Sequence, residues 1–141
     1  MIYLRIKRFI DAQRYDHDEV MKELKKGKKI SCWMWYTFPQ IKGLGRSEMA
    51  KYYEIQSRSE LRRFASHPYL AKNLEECIKA ILRLSTNNPV KVFGIIDAQK
   101  LQSSMTLFLH SRKFKYLAQR VLNKYFKGIP DAHSEALIQT L

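Results

Sequence analysis

The chain has no apolar run near the roughly 20 residues that a membrane-spanning helix requires. No membrane partner is therefore expected. Proline and glycine are sparse, with four and five residues in 141. There is no low-complexity linker and no internal repeat, so residues 1–141 read as one domain. There are only two cysteines, Cys32 and Cys77. They form neither a Cys-x-x-Cys pair nor a ligand cluster, which argues against a zinc site and fits a reducing compartment. Each reads as a small buried apolar residue. The four histidines have no spaced partners, so no metal site is expected. The N-terminus mixes Arg5, Lys7, Arg8 and Asp11 with its apolar residues and does not read as a signal peptide. A cytoplasmic location is expected.

Acidic residues are the other scarcity. Thirteen Asp and Glu face 26 Lys and Arg, a net charge of +13. From Ala98 to Pro130 there is no acid at all, while Lys100, Arg112, Lys113, Lys115, Arg120, Lys124 and Lys127 lie inside. Such a balance suits nucleic acid or small anionic ligands, or simply a solvated surface.

What is abundant is helical patterning. A hydrophobic fraction of 45% excludes wholesale disorder. Residues 3–12 read as a short helix carrying Leu4, Ile6, Phe9 and Ile10. Asp16 or Asp18 then caps a second helix with Val20, Met21 and Leu24 inward, closed by Gly27. The aromatic segment 30–38 reads as a short helix stopped before Pro39. Ser47 caps the next helix, and Ser57 or Ser59 another that ends before Pro68. Pro68 opens a long helix whose Leu70, Leu74, Cys77, Ile78, Ile81 and Leu82 recur with a 3.6-residue period. Asn87-Asn88 breaks it. Pro89 starts a short helix closed by Gly94, and Asp97 caps the next. Phe114, Leu117, Val121, Leu122 and Tyr125 mark a further helix, stopped by Gly128 and Pro130. Asp131 caps the last. No hairpin signal appears. The expected fold is all-α, an irregular bundle of about seven or eight short helices.

Two stretches stand out for chemistry. Ser31–Ser47 holds both tryptophans, Trp33 and Trp35, with Tyr36 and Phe38, then Pro39-Gln40 and Gly43-Leu44-Gly45-Arg46-Ser47. One buried Trp removes about 150–250 Å² of surface from water, enough to anchor a small core. The glycine loop superficially resembles a phosphate loop but is too short to supply many N–H groups. Arg46 and Ser47 together form a plausible anion seat at a helix start. The second stretch is Asp97–Phe108, where Asp97, Lys100 and Ser104 share a helix face and Ser103 and Thr106 lie beside them. Two readings stay open there. The hydroxyls can serve close helix packing beside a solvated Asp97–Lys100 pair, or this polar stripe can line a pocket.

The chain also resembles a family. Arg8-Phe9, Ala12-Gln13, Glu23-Leu24, Gly27-Lys28-Lys29, Trp33-Met34-Trp35 and Phe38-Pro39-Gln40 begin the pattern. Gly43-Leu44-Gly45, Ser47, Tyr53, Ile55, His67-Pro68, Leu70 and Gly94 continue it. Asp97, Lys100-Leu101, Ser103–Phe108, Tyr125-Phe126, Gly128 and Asp131 close it. On these residues the chain is identified as a member of the mainly bacterial "domain of unknown function eighteen-ten", which is often mislabelled calpastatin. The resemblance implies an all-helical fold and no established activity. The family usually has His before Trp-Met-Trp, where this chain has Cys32. The Lys-x-x-x-Ser-Met helix, followed by a basic aromatic one, is also similar to the helical NADAR family, which processes ADP-ribose derivatives.

These readings converge on a pocket for a small anionic, nucleotide-like ligand, with hydrolysis of an ADP-ribose-type conjugate as a further step. Trp33 and Trp35 would stack a ring. Lys100, Ser104 and Arg46 would hold polar or phosphate groups, and Gln40 would orient them, with Ser47, Asp97, Ser103 and Thr106 alongside. No cofactor and no metal is expected. The first alternative is an RNA- or DNA-binding module using 98–130, with Phe114, Tyr116, Tyr125 and Phe126 interleaved among the cations. Phe114 and Tyr125 read as core residues, which weakens it. The second is a protein-interaction domain without chemistry.

Overall fold

The computed structural model describes the backbone of residues 2–141, with side chains from Arg5 onward. Among the described residues there are eight helices and no strand. They are α1 (Ile2–Lys26), α2 (Met34–Thr37), α3 (Glu48–Tyr52), α4 (Arg58–Ser66), α5 (Pro68–Arg83), α6 (Pro89–Phe108), α7 (Lys115–Phe126) and α8 (Ala132–Gln139). The all-α expectation holds. No helix among the described residues is long and apolar enough to cross a membrane.

Helix starts follow the capping residues. Ser47 Oγ accepts from Ala50 N, Ser57 Oγ from Glu60 N, and Asn88 Oδ1 from Val90 N. Asp131 Oδ2 accepts from Ser134 N at 2.9 Å. His67 caps α5, its Nδ1 accepting from Tyr69 N at 3.2 Å, with Pro68 in the first turn, where a missing N–H costs nothing.

The layout centres on α1 against α5. Helix α4 packs on both, α7 covers α5, and α6 lies on α7 and α8. Phe9, Phe64, Phe108 and Phe114 form a chain of ring contacts through the middle, with centroids 5.0 to 5.8 Å apart. Helix α6 is kinked at Gly94, whose φ of 81° and ψ of 170° are non-helical. That left-handed φ suits glycine alone among ordinary residues, and it divides the helix where the sequence predicts a break.

Four expectations are corrected. Residues 3–12 and the helix after Asp16 are one 25-residue helix, α1. Its inward positions Ile6, Phe9, Ile10, Gln13, Val20 and Leu24 are all buried. The apolar stripe only looks interrupted, because polar Gln13 stands on it. Its partners are remote: Gln13 donates to Tyr36 O at 2.8 Å and accepts from Asn73 at 2.9 Å. Asp16 caps no helix, because its carboxylate accepts the Tyr36 hydroxyl instead. The side chain of Leu4 lies outside the described residues. Asp97 directs its carboxylate to Lys29 and Lys100. Finally, Cys77 is buried but Cys32 is exposed.

Candidate functional site

The loop between α2 and α3 crosses the protein close to α6 and the start of α8. A single parallel bridge fixes it, with Lys42 N donating to Ile55 O and Ile55 N to Gln40 O. Buried Glu54 takes the loop's own amides, its Oε2 accepting from Gly43 N at 2.7 Å and Gly45 N at 3.1 Å. The glycine loop is thus tied to an internal carboxylate, and those two N–H groups are not free for an anion. Gly45 also lies against α3, where an added Cβ would stand 2.7 Å from Ala50 Cβ.

Between this loop, α6 and α8 runs a groove of about 530 Å³. Gln40, Arg46 and Ser47 line one side, Lys100, Gln102 and Ser103 the other, and Asp131 and His133 the end. Residues distant in sequence thus meet in one place. Lys100 is loosely held. Its Nζ lies 3.7 Å from Asp97 Oδ1, whereas Lys29 Nζ approaches Asp97 Oδ2 at 2.7 Å. Asp97 therefore satisfies Lys29 first. Lys100 Nζ also sits 5.5 Å from the centroid of the Trp35 ring, a cation–π contact. Asp131, the groove's acid, is occupied: Ser103 Oγ at 3.3 Å, Ser134 N at 2.9 Å and Ser134 Oγ at 2.5 Å all reach its Oδ2.

The other candidate residues have different places. Trp33 is fully buried, with its indole N–H donating to Glu23 Oε1 at 2.9 Å. Trp35 is half-buried on the core edge, beneath Lys100. Ser104 is fully buried with its Oγ unpartnered. Thr106 Oγ1 donates to Gln102 O and accepts from Asp131 N, both at 2.8 Å, so it supports the turn into α8. The structure brings Gln40, Arg46, Ser47, Lys100 and Ser103 to one groove. It leaves Trp33, Trp35, Asp97, Ser104 and Thr106 off its lining.

A second, larger cleft of about 980 Å³ lies between α1, residues 31–36 and α5. Asp16, His17, Cys32, Tyr36, Asn73 and Glu76 contribute to its lining. Burial pushes the Asp16 carboxyl up, against the Tyr36 hydroxyl bond that favours its charged form. Burial and then Asp16 push the Tyr36 hydroxyl up as well. Sequence reasoning missed this cleft because it treated Asp16 as a cap. The available signal was that Gln13, Asp16, Val20 and Leu24 continue one helical period.

A family model described as "Protein of unknown function (DUF1810)" matches residues 3–138. The solved structure of the conserved hypothetical protein Rv1873 from Mycobacterium tuberculosis is similar, with 36% identity and a TM-score of 0.92. The likeness covers 95% of this chain and 96% of that one. No curated protein matches the chain.

Proposed function

We propose, from the premise that the chain belongs to the DUF1810 family of proteins of unknown function, that the loop–α6–α8 groove binds a small anionic, nucleotide-like ligand. The observation that carries this reading is the position of Lys100. It stands on the groove wall across from Arg46, only weakly held by Asp97, and over a tryptophan face. A cation with a loose partner can turn to an incoming phosphate at little cost. Arg46 has no ion pair among the described residues and adds a second charge. Gln40 and the second Nε2 hydrogen of Gln102, whose first goes to Ile129 O, offer donors for ribose or phosphate oxygens, and Ser103 Oγ, which donates to Asp131, offers an acceptor for a ribose hydroxyl. A volume of about 530 Å³ suits a ligand of nucleotide size. Trp35 serves in this reading to seat Lys100, and buried Trp33 shapes the loop from behind. Turnover of an ADP-ribose-type conjugate would be a second property of the same groove.

The test is a calorimetric titration with ADP-ribose, AMP and unphosphorylated adenosine. ADP-ribose or AMP should bind the native protein. Lys100→Ala and Arg46→Ala should each lose on the order of tenfold or more in affinity, the worth of a charge-assisted hydrogen bond. Lys113→Glu with Lys115→Glu should leave it unchanged. Equal binding in Lys100→Ala, with the variant folded by circular dichroism, overturns the reading. The nucleic-acid alternative fares less well on geometry. Phe114 and Tyr125 are buried, and of the four rings only Tyr116 is strongly exposed, at 70%. A short RNA bound in a steeply salt-dependent way, and lost in the double charge reversal, would favour it.

A further inference from the structure

A recess of about 540 Å³ lies at the C-terminal end of α6, between α4 and the turn that leads into α7. Arg58, Leu61, Arg62 and Ala65 form one wall. They stand at i, i+3, i+4 and i+7 of α4 and so share one helix face. His110, Ser111, Arg112 and Lys113 form the other wall. The surface inside is mostly carbon, contributed by Leu61, Ala65 and the stems of the arginines and the lysine.

The charge around this recess has one sign. Among the described residues no acid lines it. Glu60, the acid of α4, lies on the far face of its helix, where Arg8 and Arg5 hold it. Glu135 of α8 is engaged with His110 Nε2 at 2.8 Å. Arg58, Arg62, Arg112 and Lys113 are left without an ion pair among the described residues, whereas the buried Arg8 and Lys29 are both paired. Arg58 donates only to the Ile138 carbonyl, at 3.1 Å. Lys113 Nζ lies 5.8 Å from the Phe114 ring centroid. Apolar walls rimmed by charges of one sign focus the field and concentrate counter-ions.

Ser111 adds a donor to the same lining. It is buried, at 7% exposure. Its Oγ accepts from Phe114 N at 3.4 Å and donates to no group among the described residues. A buried hydroxyl hydrogen without an acceptor is costly, and an anion in the recess would supply one.

We infer that this recess binds a small carboxylate carrying a hydrocarbon body. Arg62 and Arg112 pair with the carboxylate, because a guanidinium fork matches its two oxygens. Ser111 donates to it, and the hydrocarbon lies along Leu61, Ala65 and the side-chain stems. The volume is that of a small-molecule site. A nucleotide suits this recess less well than the loop groove, because carbon walls leave its sugar hydroxyls without partners. The recess shares no lining residue with that groove and does not depend on its occupant.

The experiment is an amide-resolved NMR titration of the full chain with octanoate. Acetate, which has the charge without the body, and 1-octanol, which has the body without the charge, are the controls. Octanoate at millimolar concentration should shift the amides of residues 58–66 and 110–114. Neither control should do so at the same concentration. Arg62→Gln combined with Arg112→Gln should weaken octanoate on the order of tenfold or more. Lys51→Gln with Lys72→Gln, which removes the same charge from exposed positions elsewhere, should leave it unchanged. No shifts with octanoate, shifts elsewhere, or equal shifts from acetate or octanol would overturn the proposal. So would an equal loss of affinity in the two double variants. The mapping on the native protein against its two controls decides the matter even if a variant fails to fold.

Discussion

The indole N–H of Trp33 donates to Oε1 of Glu23 at 2.9 Å, joining α1 to the turn before α2 inside the core. Glu23 does more than hold the ring. The same oxygen accepts from Ile30 N at 2.6 Å and Ser31 N at 2.9 Å, and Oε2 accepts from Ser31 Oγ at 2.6 Å. One buried carboxylate thereby organises the whole connection. Burial alone would push its carboxyl up. The Ser31 hydroxyl, the two backbone N–H groups and the indole outweigh burial and hold it at about 2, against an ordinary 4.5.

A pH dependence follows. The folded value is depressed, so Glu23's contribution is complete above about 4.5 and is lost as pH falls through about 2. Glu23→Gln should cost about 2 kcal/mol at neutral pH. Its stability should also fall less than the native protein's between pH 5 and 2, read by urea denaturation across that range (about 2–5). A parallel fall in both proteins would show that another group controls acid unfolding.

The Arg8 guanidinium should be the costliest cation to remove. It meets Glu60 through two bonds, at 2.9 and 3.1 Å, and also donates to the carbonyls of Tyr52 and Glu54 at 2.8 Å. Its side chain is 7% exposed and that of Glu60 2%. Removing Arg8 leaves buried Glu60 with only the half-exposed Arg5, at 3.1 Å, and the Gln56 N–H, at 3.0 Å, so Arg8→Met should cost about 3 kcal/mol in chemical denaturation. Lys7→Met, breaking an exposed pair with Asp11, should cost under about 1 kcal/mol.

Thiol chemistry should separate the cysteines. Cys32 is exposed and Cys77 buried, and burial pushes the Cys77 thiol far up. A coloured disulfide reagent should label one thiol in the native protein and two after denaturation. In Cys32→Ser the native signal should vanish. Rapid labelling of Cys77 in the native state would contradict the packing of α5.

Gly45→Ala should damage the anion groove before it damages the fold. The new methyl would stand 2.7 Å from Ala50 Cβ, so the loop carrying Arg46 and Ser47 must move. Melting should fall by only a few degrees, roughly the effect of about 1 kcal/mol in a domain of this size. ADP-ribose affinity should fall more than stability does, compared by calorimetry and thermal melting on the same sample.

Much of the fold was legible in the chain itself, because caps and periods are local. Ser47, Ser57, His67-Pro68, Asn88-Pro89 and Asp131 each begin the helix that their short side chains or fixed φ favour. Leu70, Leu74, Cys77, Ile78 and Ile81 face inward together, as their spacing requires. What the sequence could not determine lies where polar side chains occupy inward positions. Gln13, Asp16 and Glu23 interrupt the apolar stripe of α1, yet each is satisfied, wholly or in part, by groups on the 30–36 segment or α5. Whether such a residue caps a helix, breaks one or anchors a neighbour depends on which donors come near it. Only the tertiary structure decides that. The same holds for the groove: Gln40, Arg46 and Lys100 are ordinary surface residues in sequence, and they line one groove because Glu54 ties the loop down and Gly94 turns α6 beside it.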